Sequence, residues 1–307
     1  MHLSELDIST VAASDSVPHW MYGCFQRRSI SFANGQTDTD TRVFWLQSRG
    51  LTIDLRLPIA EQQAAAGDDI QKKADYEGWY AHTRWDGEQL QWHNGDCYQL
   101  HNRWPEPALL QRIGNCMMEF APSGIYVEDW RLLSYEPGPL IGLELVSEKD
   151  LETGTESPRQ GALIICGQYA GLVIGRPDPI NSNGGKLKQL LANPELDDGT
   201  RQNLLDFETS VAKGSLEEGF TVCHSLHSSR LQQPLVSLTG FEPAEKPGYL
   251  RQRTQDRGRP VERLFRIDCY EKAFPFSQET PATAESLSWF NREAATLTRY
   301  TRVVTQD

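Results

Sequence analysis

Along most of the chain apolar residues recur at every second position, and Gly, Pro, Asn and Asp interrupt them at short intervals. That is the pattern of antiparallel strands joined by turns, not of strand–helix–strand units. The exception is residues 184–213, where Leu187, Leu190, Leu191, Leu196, Leu204, Leu205 and Phe207 follow helical spacing and Asn193-Pro194 breaks it. One or two short helices are expected there. In Glu136-Pro137-Gly138-Pro139 two prolines remove ladder donors around a glycine, and strand signals resume at Leu140, which predicts a boundary. The pattern therefore predicts a mainly β protein of two antiparallel barrel-like units, residues 20–135 and 140–305, the second carrying the helical insert 184–213.

Three hairpins show which side chains share a face. A two-residue turn at Arg49-Gly50 places Trp45 opposite Asp54. Val43, Trp45, Gln47, Thr52, Asp54 and Arg56 then lie on one face, and Phe44, Leu46, Ile53, Leu55 and Leu57 on the other. A slip of one residue would destroy this separation, so the register is well specified. A two-residue turn at Asp86-Gly87 groups Trp79, Ala81, Thr83, Leu90 and Trp92 against Tyr80, His82, Arg84, Gln91 and His93. Each hairpin has one apolar and one aromatic or polar face, which fits a small barrel with a partly polar interior and equally a sandwich with one wet face.

In the third hairpin a turn at Ser123-Gly124 sets Glu119 directly across from Glu128, with Met117, Tyr126 and Trp130 on the same face. Like charges opposite one another destabilise a sheet, and a buried pair of this kind requires a proton or an intervening cation. One reading is a carboxyl pair within a cavity that orients a polar ligand group or acts as acid and base. The other is a solvated pair neutralised by Arg27, Arg28 or Arg131.

The 307 residues suffice for a sizeable core, and a net charge of −12 argues against general binding of nucleic acid or anionic membranes. No apolar stretch is long enough to span a bilayer and the first twenty residues lack the features of a secretory signal. The six cysteines form no C-x-x-C pair, so reduced thiols and a cytoplasmic location are expected. No cofactor motif is present: Gly167, Gly171 and Gly175 lack the spacing of a phosphate loop, and Gly184-Gly185-Lys186 reads as a loop ahead of the leucine pattern. Cys223-His224 and His227 suggest no metal site, because residues three apart on a strand point to opposite faces. Arg251, Arg253, Arg257, Arg259, Arg263 and Arg266 surround an Arg257-Gly258 turn and are expected to pair with acids such as Asp256 and Glu262. Trp45, Trp79, Trp85, Trp92, Trp104 and Trp130 concentrate in the first half, either as core or as pocket wall.

Residues 22–58 contain Arg28-Ser29-Ile30, Asp38-x-Asp40-x-x-Val43, Trp45-Leu46-Gln47 and Asp54-Leu55-Arg56-Leu57-Pro58. With Met118-Glu119, Tyr126-x-Glu128-x-Trp130 and residues 161–176 in the same order, this resembles the Hri-type proteins, a family named after a fungal protein that interacts with an Hrr-type casein kinase. The resemblance implies two lipocalin-like (calycin) barrels, one per half, and no assigned catalytic residues.

The leading functional expectation is non-catalytic binding of a small, largely apolar or amphipathic molecule in the first barrel. Trp45, Trp92, Tyr126 and Trp130 form the wall, and Asp54 and Arg56 with the Glu119/Glu128 pair orient a polar end. The second is a lyase, isomerase or hydrolase with Glu119 and Glu128 as acid and base. The third is a protein-interaction module built on filled barrels.

Overall fold

The computed structural model describes residues 1–8, 17–57, 70–100, 106–178, 180 and 185–300. Pro58, Trp104 and Gly184 lie outside the described residues. The first half is built from β1 (Gly23–Phe32), β2 (Thr37–Asp38), β3 (Arg42–Gln47), β4 (Leu51–Leu57), helix α1 (Ile70–Lys73), β5 (Glu77–Trp85), β6 (Gln89–Cys97), β7 (Ala108–Ile113), β8 (Cys116–Phe120) and β9 (Tyr126–Leu132). Every strand from β3 to β9 pairs with its neighbour, and β1 pairs with both β3 and β9, closing an eight-stranded antiparallel barrel. A register shift between Arg27 and Ser29 bends β1 so that one strand serves both edges. The two-residue strand β2 extends β1 outside the ring.

The hairpin at Arg49-Gly50 pairs Trp45 with Asp54, and the hairpin after β8 pairs Glu119 with Glu128, both as the alternation requires. The turn at Asp86-Gly87 is longer than the expected two residues. Trp85 pairs with Leu90 and Thr83 with Trp92, because Asp86 accepts hydrogen bonds from the Glu88 and Gln89 amides and so organises a four-residue turn. The register moves by two, so the faces stay as grouped.

The second half forms β10 (Gly138–Asp150), β11 (Glu156–Ser157), β12 (Gly161–Cys166), β13 (Tyr169–Ile174), helices α2 (Leu187–Leu191) and α3 (Asp198–Leu204), β14 (Glu208–Ser215), β15 (Gly219–Ser225), β16 (Phe241–Pro243), β17 (Tyr249–Asp256), β18 (Arg259–Phe274) and helix α4 (Ala284–Tyr300). Its sheet runs β15-β14-β13-β12-β10-β18-β17-β16, with β11 on β10. Residues 231–240 cross from one edge to the other, with Leu235 donating to Phe220 and the Leu3 amide donating to Leu238. The segment 1–8 is tied in here: Leu3 and Leu6 are fully buried within the apolar cluster of this sheet, and Tyr270 Oη donates to both of their carbonyls.

The expected helical insert 184–213 is only partly helical. Residues from Glu208 onward leave the helix and pair along the whole of β13, where the β-branched Thr209 and Val211 are buried in a sheet. A helix not foreseen is α4, where Leu287, Trp289 and Phe290 are each about half exposed.

The two sheets meet face to face. Phe44, Leu46, Ile53 and Leu55, the aliphatic face of the first hairpin, are buried against β12 to β14. A Cβ on Gly171 would lie 2.8 Å from Leu46, and one on Gly78 would lie 2.2 Å from Thr209 Cγ2, so two glycines permit this close approach. The aliphatic face is therefore the outside of the barrel wall, and the aromatic and polar face is its interior.

Candidate functional site

The interior face is set by the two predicted registers together with β5, where Asp54 pairs with Trp79 and Arg56 with Glu77. At its centre Trp45 meets Trp130 with ring centroids 5.6 Å apart, Trp92 at 6.5 Å and Phe25 at 5.7 Å, while Trp79 meets Trp92 at 6.1 Å. Edge-to-face and tilted contacts of this kind suit the ring quadrupoles. Below them, Gln47 accepts from Trp45 Nε1 at 3.2 Å and donates to Thr83 Oγ1 at 2.9 Å, fixing the indole from one side.

Above the rings lies a cluster of ionisable groups. Glu119 and Glu128 are 5% and 4% exposed and directly opposite. Their environments differ. Glu128 accepts from Arg27 Nη1 at 2.7 Å, and the same guanidinium reaches Asp38 at 2.8 Å. Glu119 has indole and phenol instead of a cation: Trp130 Nε1 donates at 3.1 Å and Tyr126 Oη at 3.4 Å. Burial, reinforced by the charges of Glu128 and Asp54, holds the Glu119 carboxyl well above the usual carboxylate range. Two facing carboxyls are thus divided into a proton-bearing acid and an arginine-paired carboxylate.

Asp54 is 6% exposed and burial pushes its carboxyl up to about 7, against the pull of Arg56. Arg56, its side chain 32% exposed, marks where the cluster meets solvent, with Nε 4.0 Å from Asp54 Oδ1 and Nη1 3.7 Å from Glu77. Asp54 Oδ1, Arg56 Nε and Trp92 Nε1 are buried and make no hydrogen bond within the protein. Buried polar atoms are nearly always paired, so this acceptor and these two donors on the inner face are groups that a polar guest would satisfy.

Trp45, Asp54, Arg56, Trp92, Tyr126, Trp130, Glu119 and Glu128 all lie on this interior face: ring contacts and hydrogen bonds join Trp45, Trp92, Trp130, Glu119 and Tyr126, an ion pair joins Asp54 and Arg56, and Glu128 pairs with Arg27. Glu77 and Arg27 complete the cluster; Glu77 is legible only once β5 is paired with β4, since it lies beyond residues 58–69. A second group also escaped the sequence pattern. In a 590 Å³ cleft between the sheets, His82 Nε2 lies 3.0 Å from Glu144 and 2.8 Å from Arg266. These residues come from distant strands, and no local motif links them.

Elsewhere the paired readings hold. Arg253 bonds Glu262, Arg263 bonds Glu148 and Asp256, and Arg257 bonds Asp206. His224 stacks on Phe44 at 5.0 Å and His227 Nε2 bonds the Phe207 carbonyl, so the two histidines serve different contacts. Among the described residues no group of three His, Cys, Asp or Glu could hold a metal ion, no two cysteines are bonded, and no helix is long and apolar enough to cross a membrane. No family model, curated protein or solved structure matches the chain.

Proposed function

We propose that the chain is a lipocalin-like binding protein of the Hri type that takes a small, largely apolar molecule into its first barrel. One observation carries this reading: Asp54 Oδ1, Arg56 Nε and Trp92 Nε1 are buried and make no hydrogen bond among the described residues. Leaving three such atoms unpaired costs on the order of 1–3 kcal/mol each, a cost that a bound polar group offsets. The apolar body lies against Trp45, Trp92 and Trp130, and the polar end meets Asp54 and Arg56 at the solvent side. Native mass spectrometry after incubation with lipid and metabolite extracts tests it. A retained compound that is lost in Trp92→Phe or Arg56→Met supports the reading, and a chain that emerges unliganded from every extract overturns it.

A second reading is favoured by the division between Glu119 and Glu128. A carboxyl held well above the usual range beside one paired with an arginine is the arrangement of general acid–base chemistry in lyases, isomerases and hydrolases. Glu119→Gln removes the transferable proton and keeps the shape, so loss of turnover of a retained compound would support catalysis and full turnover would exclude this role.

A further inference from the structure

The barrel interior holds more acid than base. Asp54, Glu77, Glu119 and Glu128 are each at least nine-tenths buried on its inner face, and Arg27 and Arg56 are the guanidiniums that reach them. Arg27 is also shared with Asp38, and among the described residues no arginine contacts Glu119. A further negative charge from a fatty acid or phosphate would deepen the imbalance, and a neutral alcohol would leave it as it stands. Within this interior Asp54 occupies a particular place: it pairs across the ladder with Trp45 on one side and Trp79 on the other, and both indoles contact Trp92. Its Oδ1 accepts no hydrogen bond among the described residues and has Arg56 Nε at 4.0 Å as its nearest cation.

Resting on the binding reading above, we propose that the first barrel selects an amphipathic amine, whose N–H groups bond Asp54 Oδ1 and whose cationic head lies beside the indole of Trp79, the ladder partner of Asp54, while its apolar body lies against Trp45, Trp92 and Trp130. Ammonium ions are attracted to indole faces, and the attraction grows when water is excluded. Trp92 Nε1 and Arg56 Nε, the two unpartnered donors, call for an acceptor oxygen close to the ligand nitrogen, as in an amino alcohol. Protons do part of this work, since burial pushes the Asp54 carboxyl up to about 7 and holds Glu119 well above the usual carboxylate range. An arriving ammonium displaces a proton from Asp54, so binding tightens as pH rises through neutrality.

Octylamine, 1-octanol and octanoate share one apolar body and differ in the head group. Calorimetric titration of the full chain with each, at pH 6 and pH 8, is the test. Octylamine is expected to bind at least tenfold more tightly than the other two, more tightly at pH 8, and with a heat that varies with the ionisation enthalpy of the buffer because a proton is released. Asp54→Asn is expected to abolish the preference and the pH dependence. The comparison of probes on the unsubstituted protein stands even if that variant does not fold. Octanol or octanoate binding as tightly as octylamine would overturn the amine assignment and leave the barrel as a binding site. Failure of all three to bind also overturns it, and the extract screen separately decides whether the barrel binds anything.

Discussion

Glu119 and Glu128 face each other across β8 and β9, and among the described residues only Glu128 has an arginine. The two glutamates therefore respond differently to the same substitution. Glu119→Gln breaks no arginine pair among the described residues, keeps an acceptor oxygen for Trp130 Nε1 and turns its amide NH2 to the Tyr126 hydroxyl, which can accept, so stability at pH 7 is expected to change by less than about 1 kcal/mol. Glu128→Gln leaves Arg27 buried with Asp38 alone, and is expected to cost about 3 kcal/mol. Denaturant titration of both variants checks the contrast, and equal losses would contradict the assignment of the proton to Glu119.

Asp54 gives the protein an unusual pH response. Its folded-state titration, near 7, lies above that of an exposed aspartate, so the folded protein binds more protons than the unfolded chain between about pH 4 and pH 7. Stability from this group is complete below the unfolded value and is lost as pH rises through the folded one. Asp38, Asp256 and Glu144, held low, act in the opposite sense at more acidic pH. The stability difference between the natural protein and Asp54→Asn should therefore slope between pH 4 and pH 7 and flatten above it. A difference independent of pH over that range would show that Asp54 titrates normally.

The registers of the first and third hairpins were legible because each has a two-letter turn signal and a strict alternation, and they pair Trp45 with Asp54 and Glu119 with Glu128. The interior was not legible from alternation. Phe44, Leu46, Ile53 and Leu55 form the more apolar face, yet they point out of the barrel because a second sheet covers them. A one-domain barrel would have buried that face inside. Arg27 and Glu77 join the site through pairings with β9 and β4 that close over long stretches of chain, and sequence spacing carries no trace of them. The strand after α3 was masked by Leu204, Leu205 and Phe207, whose helical spacing runs up to the residue before β14.

The contact between the sheets depends on Gly78. A methyl group there would approach Thr209 Cγ2 to 2.2 Å and Leu55 Cδ2 to 3.2 Å, and Thr209 is itself fully packed at 1% exposure. Gly78→Ala is expected to destabilise by about 1–3 kcal/mol through overpacking. Thr209→Ser removes the obstructing methyl, so the double variant should recover part of that loss. A double-mutant cycle by thermal or denaturant unfolding measures the coupling, and strict additivity would show that the two residues do not touch.

The second sheet is pinned by a buried ionic group of its own. Glu148 on β10 is 6% exposed and accepts from two arginines, Arg263 Nε at 2.7 Å and Arg159 Nη1 in a shorter contact. Both arginines also reach Asp256, at 3.0 Å and 2.9 Å, and the positive pair holds that carboxyl below its usual range after burial has worked against it. Two cations and two anions thus neutralise one another where β10, β17 and β18 meet the segment before β12. Removing one anion leaves two guanidiniums, 3% and 5% exposed as residues, facing a single carboxylate. Glu148→Ala is therefore expected to cost about 3–5 kcal/mol, while Glu148→Gln, which retains one acceptor but not the charge, falls between. The loss should persist at high salt, because a pair excluded from water is poorly screened, whereas the exposed Arg253–Glu262 pair should contribute under about 1 kcal/mol and weaken as salt is added. Unfolding titrations at two ionic strengths distinguish these pairs; a Glu148→Ala deficit that vanishes in salt would place the cluster at the surface and not inside the sheet.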